Sequence, residues 1–183
     1  MNERVTVVSI FNKKDIDKLN TYINVIDNKS LCKVPFGKNV NDRIAMDTLP
    51  YHFTLSAWDI NQKEFVLERL SKIKFNKFKI LINDLRIMNG KENSYVLYFN
   101  IEKNDKLEVL HRNIYNILPT EKYNPNSFQF HITITIDKDY EKIMKIKNKI
   151  ETKFVPFELI VDNIGLFEIY PAELVKNIYA NNV

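Results

Sequence analysis

The apolar pattern passes through one order of elements twice, and this repeat constrains the fold more than any other feature of the chain. Residues 4–11 are rich in β-branched side chains and end at Asn12-Lys13-Lys14, the pattern of a strand. Ile16, Leu19, Ile23 and Ile26 then recur at spacings of three and four, and Asn12 with Asp15 offers an N-cap, which predicts a helix. Residues 51–58 alternate as a strand. Asn61 and Glu64 then open a second helix with Val66, Leu70 and Ile73 inward, and residues 75–88 return as a strand. After the turn Asn89-Gly90-Lys91 the order repeats. A strand over 94–101 leads to a helix from Asp105 with Leu107, Leu110, Ile114 and Leu118 on one stripe, stopped by Pro119. A strand over 128–136, a helix over 139–152 and a strand over 157–170 complete the second half. Two βαβαβ halves predict an α+β chain that folds as a single bilobal domain over residues 1–183. Lobe one is expected over roughly 1–89 and lobe two over roughly 90–183. The halves differ most at residues 28–50, a connection longer than the ~12–15 residues usual for a structureless loop. That segment is expected to be a lid or to hold a short strand.

Composition narrows the class of protein. With 183 residues, 45% apolar, 27% charged, 3 Gly and 6 Pro, the chain is neither fibrous nor of low complexity and is too short for a multidomain machine. A net charge of +4 permits an anionic ligand without reaching the charge of a protein that coats DNA. Cys32 is the single cysteine, which excludes an internal disulfide and a Cys-based zinc cluster. The run Val5–Val8 is too short for a signal segment, and no stretch approaches the ~18 apolar residues of a membrane span. The expectation is a cytoplasmic monomer without a membrane partner.

Two of the three histidines stand in the same phrase at equivalent places of the two halves. These are His52-Phe53-Thr54-Leu55 and His131-Ile132-Thr133-Ile134. In a strand, residues two apart point the same way, so each His shares a face with its Thr. Strict alternation sets His52, Thr54, Ser56 and Trp58 opposite Phe53, Leu55 and Ala57. It sets Gln129, His131, Thr133 and Thr135 opposite Phe128, Phe130, Ile132, Ile134 and Ile136. With 8 Thr in the chain, a Thr at one given offset from a His is roughly a one-in-twenty event, so two such hits mark a site.

The paired phrases, 79 residues apart, resemble those of the two-histidine (2H) phosphoesterase superfamily, which includes the 2'-5' RNA ligase and cyclic phosphodiesterase group. The resemblance implies two pseudo-symmetric lobes, mostly antiparallel sheets lining a central, positively charged groove, and helices outside. It places the phrases on neighbouring central strands. The activity it implies is metal-independent hydrolysis of 2',3'-cyclic phosphates on RNA ends or small cyclic nucleotides, with 2'-5' RNA ligation, the reverse of 2'-5' bond cleavage, as a second reaction and no cofactor. An Arg that many ligase-type members carry after the second phrase is absent from Thr135-Ile136-Asp137.

The residue types suit that chemistry. Opening a cyclic phosphate needs a base to take a proton from water and an acid to protonate the departing ribose oxygen. Imidazole holds either state near neutral pH. His52 and His131 are therefore the candidate catalytic residues, and which one is acid stays open. Thr54 and Thr133 are candidate donors to the phosphate oxygens. Trp58, on the same predicted face, is a candidate for base stacking. His111, within the stripe Leu107, Leu110 and Ile114, is expected to be a half-buried core residue. A competing expectation is an RNA-binding module in which the aromatic strand Asn93 to Phe99 exposes rings to bases.

Overall fold

The computed structural model describes residues 4–24, 26, 51–169 and 173–181. The 28–50 segment and Cys32 lie outside the described residues. Among the described residues eight strands and four helices follow in the order β1 (Arg4–Ile10), α1 (Lys13–Ile23), β2 (His52–Asp59), α2 (Lys63–Leu70), β3 (Phe78–Asn89), β4 (Tyr95–Ile101), α3 (Asp105–Tyr115), β5 (His131–Asp137), α4 (Tyr140–Glu151), β6 (Phe157–Val161), β7 (Asn163–Ile169) and β8 (Glu173–Tyr179). The strands form two four-stranded sheets in the orders β2-β1-β7-β8 and β5-β4-β3-β6, and every pairing is antiparallel. This is the α+β architecture expected.

Each sheet draws strands from both sequence halves. β3, from the first half, pairs with β4 and β6, while β7, from the second, pairs with β1. The sheets therefore do not divide at residue 89. The single strand expected over 157–170 breaks at Asp162, a poor strand former, and its two parts join different sheets. β8 was not legible as a strand, since its residues are mostly exposed and lack a clean alternation.

The helices cross over in the same way. α1 follows β1 of the first sheet but packs on the second, where the Tyr22 ring stacks on Phe157 at 5.0 Å. There the buried Asp15 carboxylate accepts from the Ile160 amide at 2.8 Å and from the Lys18 ammonium at 2.8 Å. α3 follows β4 of the second sheet and packs on β2 of the first. Three helices start at side-chain caps: Asn12 accepts from the Asp15 amide, Asn104 from Leu107 and Asp139 from Lys142. Each such cap contributes about 1 kcal/mol. The second helix begins differently from the expectation. Asp59 caps a 3-10 turn over Ile60–Gln62, and α2 continues from it, with Val66 and Leu70 buried.

β2 and β5 are edge strands of their sheets, yet they lie against each other and so become the centre of the molecule. The contact between them is apolar. Phe53, next to His52, meets Phe130, next to His131, with ring centroids 6.0 Å apart at 83°. Both rings are fully buried, and each contributes about 1.5–3 kcal/mol of burial.

Candidate active site

Both phrases sit on bulged strands, and the bulges fall at equivalent places. In β2, Val8 pairs with Thr54 and Val7 with Ser56, leaving Leu55 as the extra residue. In β5, Tyr98 pairs with Thr133 and Leu97 with Thr135, leaving Ile134 extra. Cross-strand partners share a face, and an extra residue shifts the alternation by one. His52 and Thr54 therefore stay on one face, while Ser56 and Trp58 turn to the helix-covered core beside Val7 and Val5. In β5, His131 and Thr133 stay together, Thr135 turns inward to 1% exposure, and Ile136 turns outward. All four phrase residues are half-buried on faces turned away from the core.

This corrects the expectation for Trp58. Its ring is 3% exposed within the hydrophobic core, and its indole N–H donates to the Leu118 carbonyl at 2.7 Å. Neither ring face is open to a base. The bulge that aims Thr54 is also what sends Trp58 inward, and no periodicity in the sequence announces it. The rings of the aromatic strand in the RNA-binding expectation are not laid open either: Phe99 is buried completely, Tyr98 is 6% exposed, and Tyr95 is half-buried against the Tyr140 ring at 4.9 Å.

His131 has the best-defined surroundings. Its Nδ1 lies 2.9 Å from the Gln129 carbonyl oxygen, which can only accept, so Nδ1 carries the hydrogen. The neutral ring then presents Nε2 as a bare acceptor. Burial, opposed by the Gln129 carbonyl and reinforced by the nearby Lys122 ammonium, holds the imidazole below its ordinary value and favours that neutral form. The Tyr98 ring supports it edge-on at 5.2 Å, and burial raises the Tyr98 phenol above its usual value.

Sequence reasoning missed the charged groups around this face. Lys122 lies against the Tyr123 ring at 5.2 Å, and burial and then Arg4 lower its pKa. Arg4 extends from β1 on the same face as Thr6 and Val8, paired with Asp59 across β2. Arg86 projects from β3 beside Tyr98, its Nε 2.8 Å from Asp84. These three come from separate segments: Lys122, just before β5, acts on His131, Arg4 acts on Lys122, and β3, from the first half, brings Arg86 beside Tyr98. Among the described residues no group of three or more His, Cys, Asp or Glu could hold a metal ion, and no helix is long and apolar enough to cross a membrane.

His111 is buried to 1% exposure, more deeply than expected, with Phe128 and Phe130 each 4.9 Å from its ring. Burial, partly opposed by the backbone at Leu55, lowers its pKa to about 4. Above pH ~6.5 the ring is neutral in both folded and unfolded chains. Between about 6.5 and about 4 only the unfolded chain takes the proton, so stability falls as pH falls, by roughly 3 kcal/mol in all, and then levels off. Denaturant unfolding at pH 7 and pH 4.5 is expected to show a shallower loss in His111→Leu than in the parent.

Residues 39–171, well over half of the chain, match the model of the 2'-5' RNA ligase superfamily. The chain belongs to that superfamily. Solved structures share the fold across nearly the whole chain. A crystal structure described as a phosphoesterase matches with a TM-score of 0.63 at 10% identity, covering 100% of both chains. LigT of E. coli, complexed with 3'-AMP, matches with 0.62 at 10% identity and the same coverage. TT0787 of Thermus thermophilus matches with 0.60 at 13% identity, covering 96% of this chain and 97% of its own. At these identities the solved structures show a shared fold. A search of curated proteins found no sequence match.

Proposed function

We propose that this superfamily member is a metal-independent phosphoesterase that opens 2',3'-cyclic phosphates on RNA ends or small cyclic nucleotides. The observation that carries the reading is the matched pair of His-x-Thr phrases, each fixed by a bulge on strands that meet at the centre of the molecule. His131, neutral with Nε2 as acceptor, takes a proton from water as the water oxygen bonds to phosphorus. His52, protonated, gives its proton to the ribose oxygen as the P–O bond breaks, leaving a 2'- or 3'-monophosphate. Thr54 and Thr133 donate to the non-bridging oxygens, and Arg4 and Lys122 add positive charge where the phosphate's negative charge accumulates. A ribose hydroxyl in the place of water turns the same opening into 2'-5' ligation. E. coli LigT, complexed with 3'-AMP, holds a nucleotide of the product class.

The test is incubation with 2',3'-cyclic-ended oligonucleotides and free 2',3'-cyclic nucleotides. Turnover is expected, and it is expected to survive exhaustive chelation because two imidazoles supply both proton transfers. No turnover across the panel, or loss with EDTA and recovery with zinc or manganese, overturns the reading.

A further inference from the structure

A string of amides connects His131 to the far side of its sheet. Gln129, whose carbonyl accepts from His131 Nδ1 at 2.9 Å, uses its own side-chain Nε2 to donate to Asn100 Oδ1 at 2.6 Å. Asn100 Nδ2 in turn donates to Asn83 Oδ1 at 2.8 Å, and Asn83 Nδ2 donates to Glu102 Oε2 at 3.3 Å. Asn100 pairs directly with His131 across β4 and β5 and is 4% exposed, so its amide is a buried polar group whose oxygen and nitrogen are both used. Asn83 is the extra residue of a bulge in β3, since Ile82 pairs with Ile101 and Asp84 with Asn100. The bulge places an amide where a regular strand would continue its ladder.

Gln129 lies just before β5, outside the sheet's pairing. The carbonyl that orients His131 is held from two sides: the next carbonyl, of Phe130, accepts from the Ile101 amide at 3.3 Å, and the Gln129 side chain donates to Asn100. We propose that Asn100 and Gln129 are positioning residues for His131: they pin the Gln129 carbonyl and so fix the Nδ1–H tautomer that leaves Nε2 facing the substrate. The inference rests on the proposed hydrolysis for its consequence in turnover, while the tautomer itself is independent of it. The direction of every amide in the string follows from one end. Glu102 can only accept, which orients Asn83, then Asn100, then Gln129.

Two substitutions separate positioning from mere packing. Gln129→Ala removes the anchor at a site that packs no core. Asn100→Asp keeps an acceptor for Gln129 but places a negative charge beside His131, opposite in sign to Lys122. The other groups around the ring, Tyr98 and the Asp84–Arg86 pair beyond it, stay in place.

The measurement is 15N NMR of histidine-labelled protein through a pH titration, with the His131 signal assigned by its loss in His131→Ala. The parent is expected to show the Nδ1–H tautomer at neutral pH. Gln129→Ala is expected to mix the tautomers and lower kcat by about ten- to hundred-fold with KM little changed, the scale of a misaimed catalytic group. Asn100→Asp is expected to move the His131 titration upward, as a neighbouring negative charge must. Circular dichroism reports folding of each variant. Unchanged His131 tautomer and titration in a folded Gln129→Ala overturns the inference, whatever the turnover. Changed NMR in a protein that hydrolyses none of the cyclic phosphates sustains the positioning and overturns the proposed reaction instead.

Discussion

His52→Ala and His131→Ala are each expected to lower turnover of a 2',3'-cyclic phosphate by ~10²–10⁴-fold, the usual contribution of a positioned acid or base. In the proposed reaction the two rings serve opposite ends of one displacement, so the losses do not multiply. A site without its base has already abandoned the concerted route, and removing the acid then costs little more. The double variant is therefore expected to fall near the weaker single variant, well short of the product. All three proteins should fold, because both rings are only half-buried and lie on faces turned from the core. Thr54→Ala and Thr133→Ala, which in the proposed reaction remove a donor to phosphate and leave the proton transfers in place, are expected to be milder. Steady-state hydrolysis with circular dichroism as folding control checks the set. A dispensable histidine in a folded protein contradicts the symmetric site.

Trp58→Ala is expected to cost stability and leave chemistry alone. Deleting a buried indole removes about 3–5 kcal/mol. It also strips the Leu118 carbonyl of the donor that now lies 2.7 Å away. Against the ~5–15 kcal/mol that holds a typical domain folded, such a loss leaves the protein marginal at 37 °C. Trp58→Phe keeps most of the ring and is expected to lose far less. Urea unfolding curves give the first quantity, and KM at a temperature where both variants are folded gives the second. A stacking role would reverse the pattern, raising KM in Trp58→Phe with stability intact.

The contrast between Trp58 and His52 shows what a sequence pattern carries and where it stops. Period-two alternation is a local property, and it correctly pairs each His with the Thr two residues on because no bulge intervenes there. Beyond Leu55 and Ile134 the same rule fails, since one extra residue reverses every later side chain. The two-fold architecture was legible because capping residues and apolar stripes recur in each half. The exchange of β3 and β7 between sheets was not, because strand pairing is a long-range choice that neither segment encodes alone. For the same reason Arg4, Lys122 and Asn100 gave no signal. Each looks like an ordinary polar residue until the fold sets Asn100 opposite His131 across β4 and β5, Lys122 near the His131 ring and Arg4 near Lys122. His111 reads as a core residue from its place in the stripe of α3, and its full burial follows from Phe128 and Phe130 closing over it.

The most direct measurement of the central claim is the pH dependence of kcat/KM for a free 2',3'-cyclic nucleotide, taken after exhaustive chelation. Two histidines in opposite protonation states predict a bell. Its acidic limb reports protonation of His131 and lies below the ordinary imidazole value, since burial and Lys122 both push that ring down. Its basic limb reports loss of the proton from His52 and vanishes in His52→Ala. A profile with no acidic limb, or a bell that His52→Ala leaves unchanged, contradicts two-histidine catalysis.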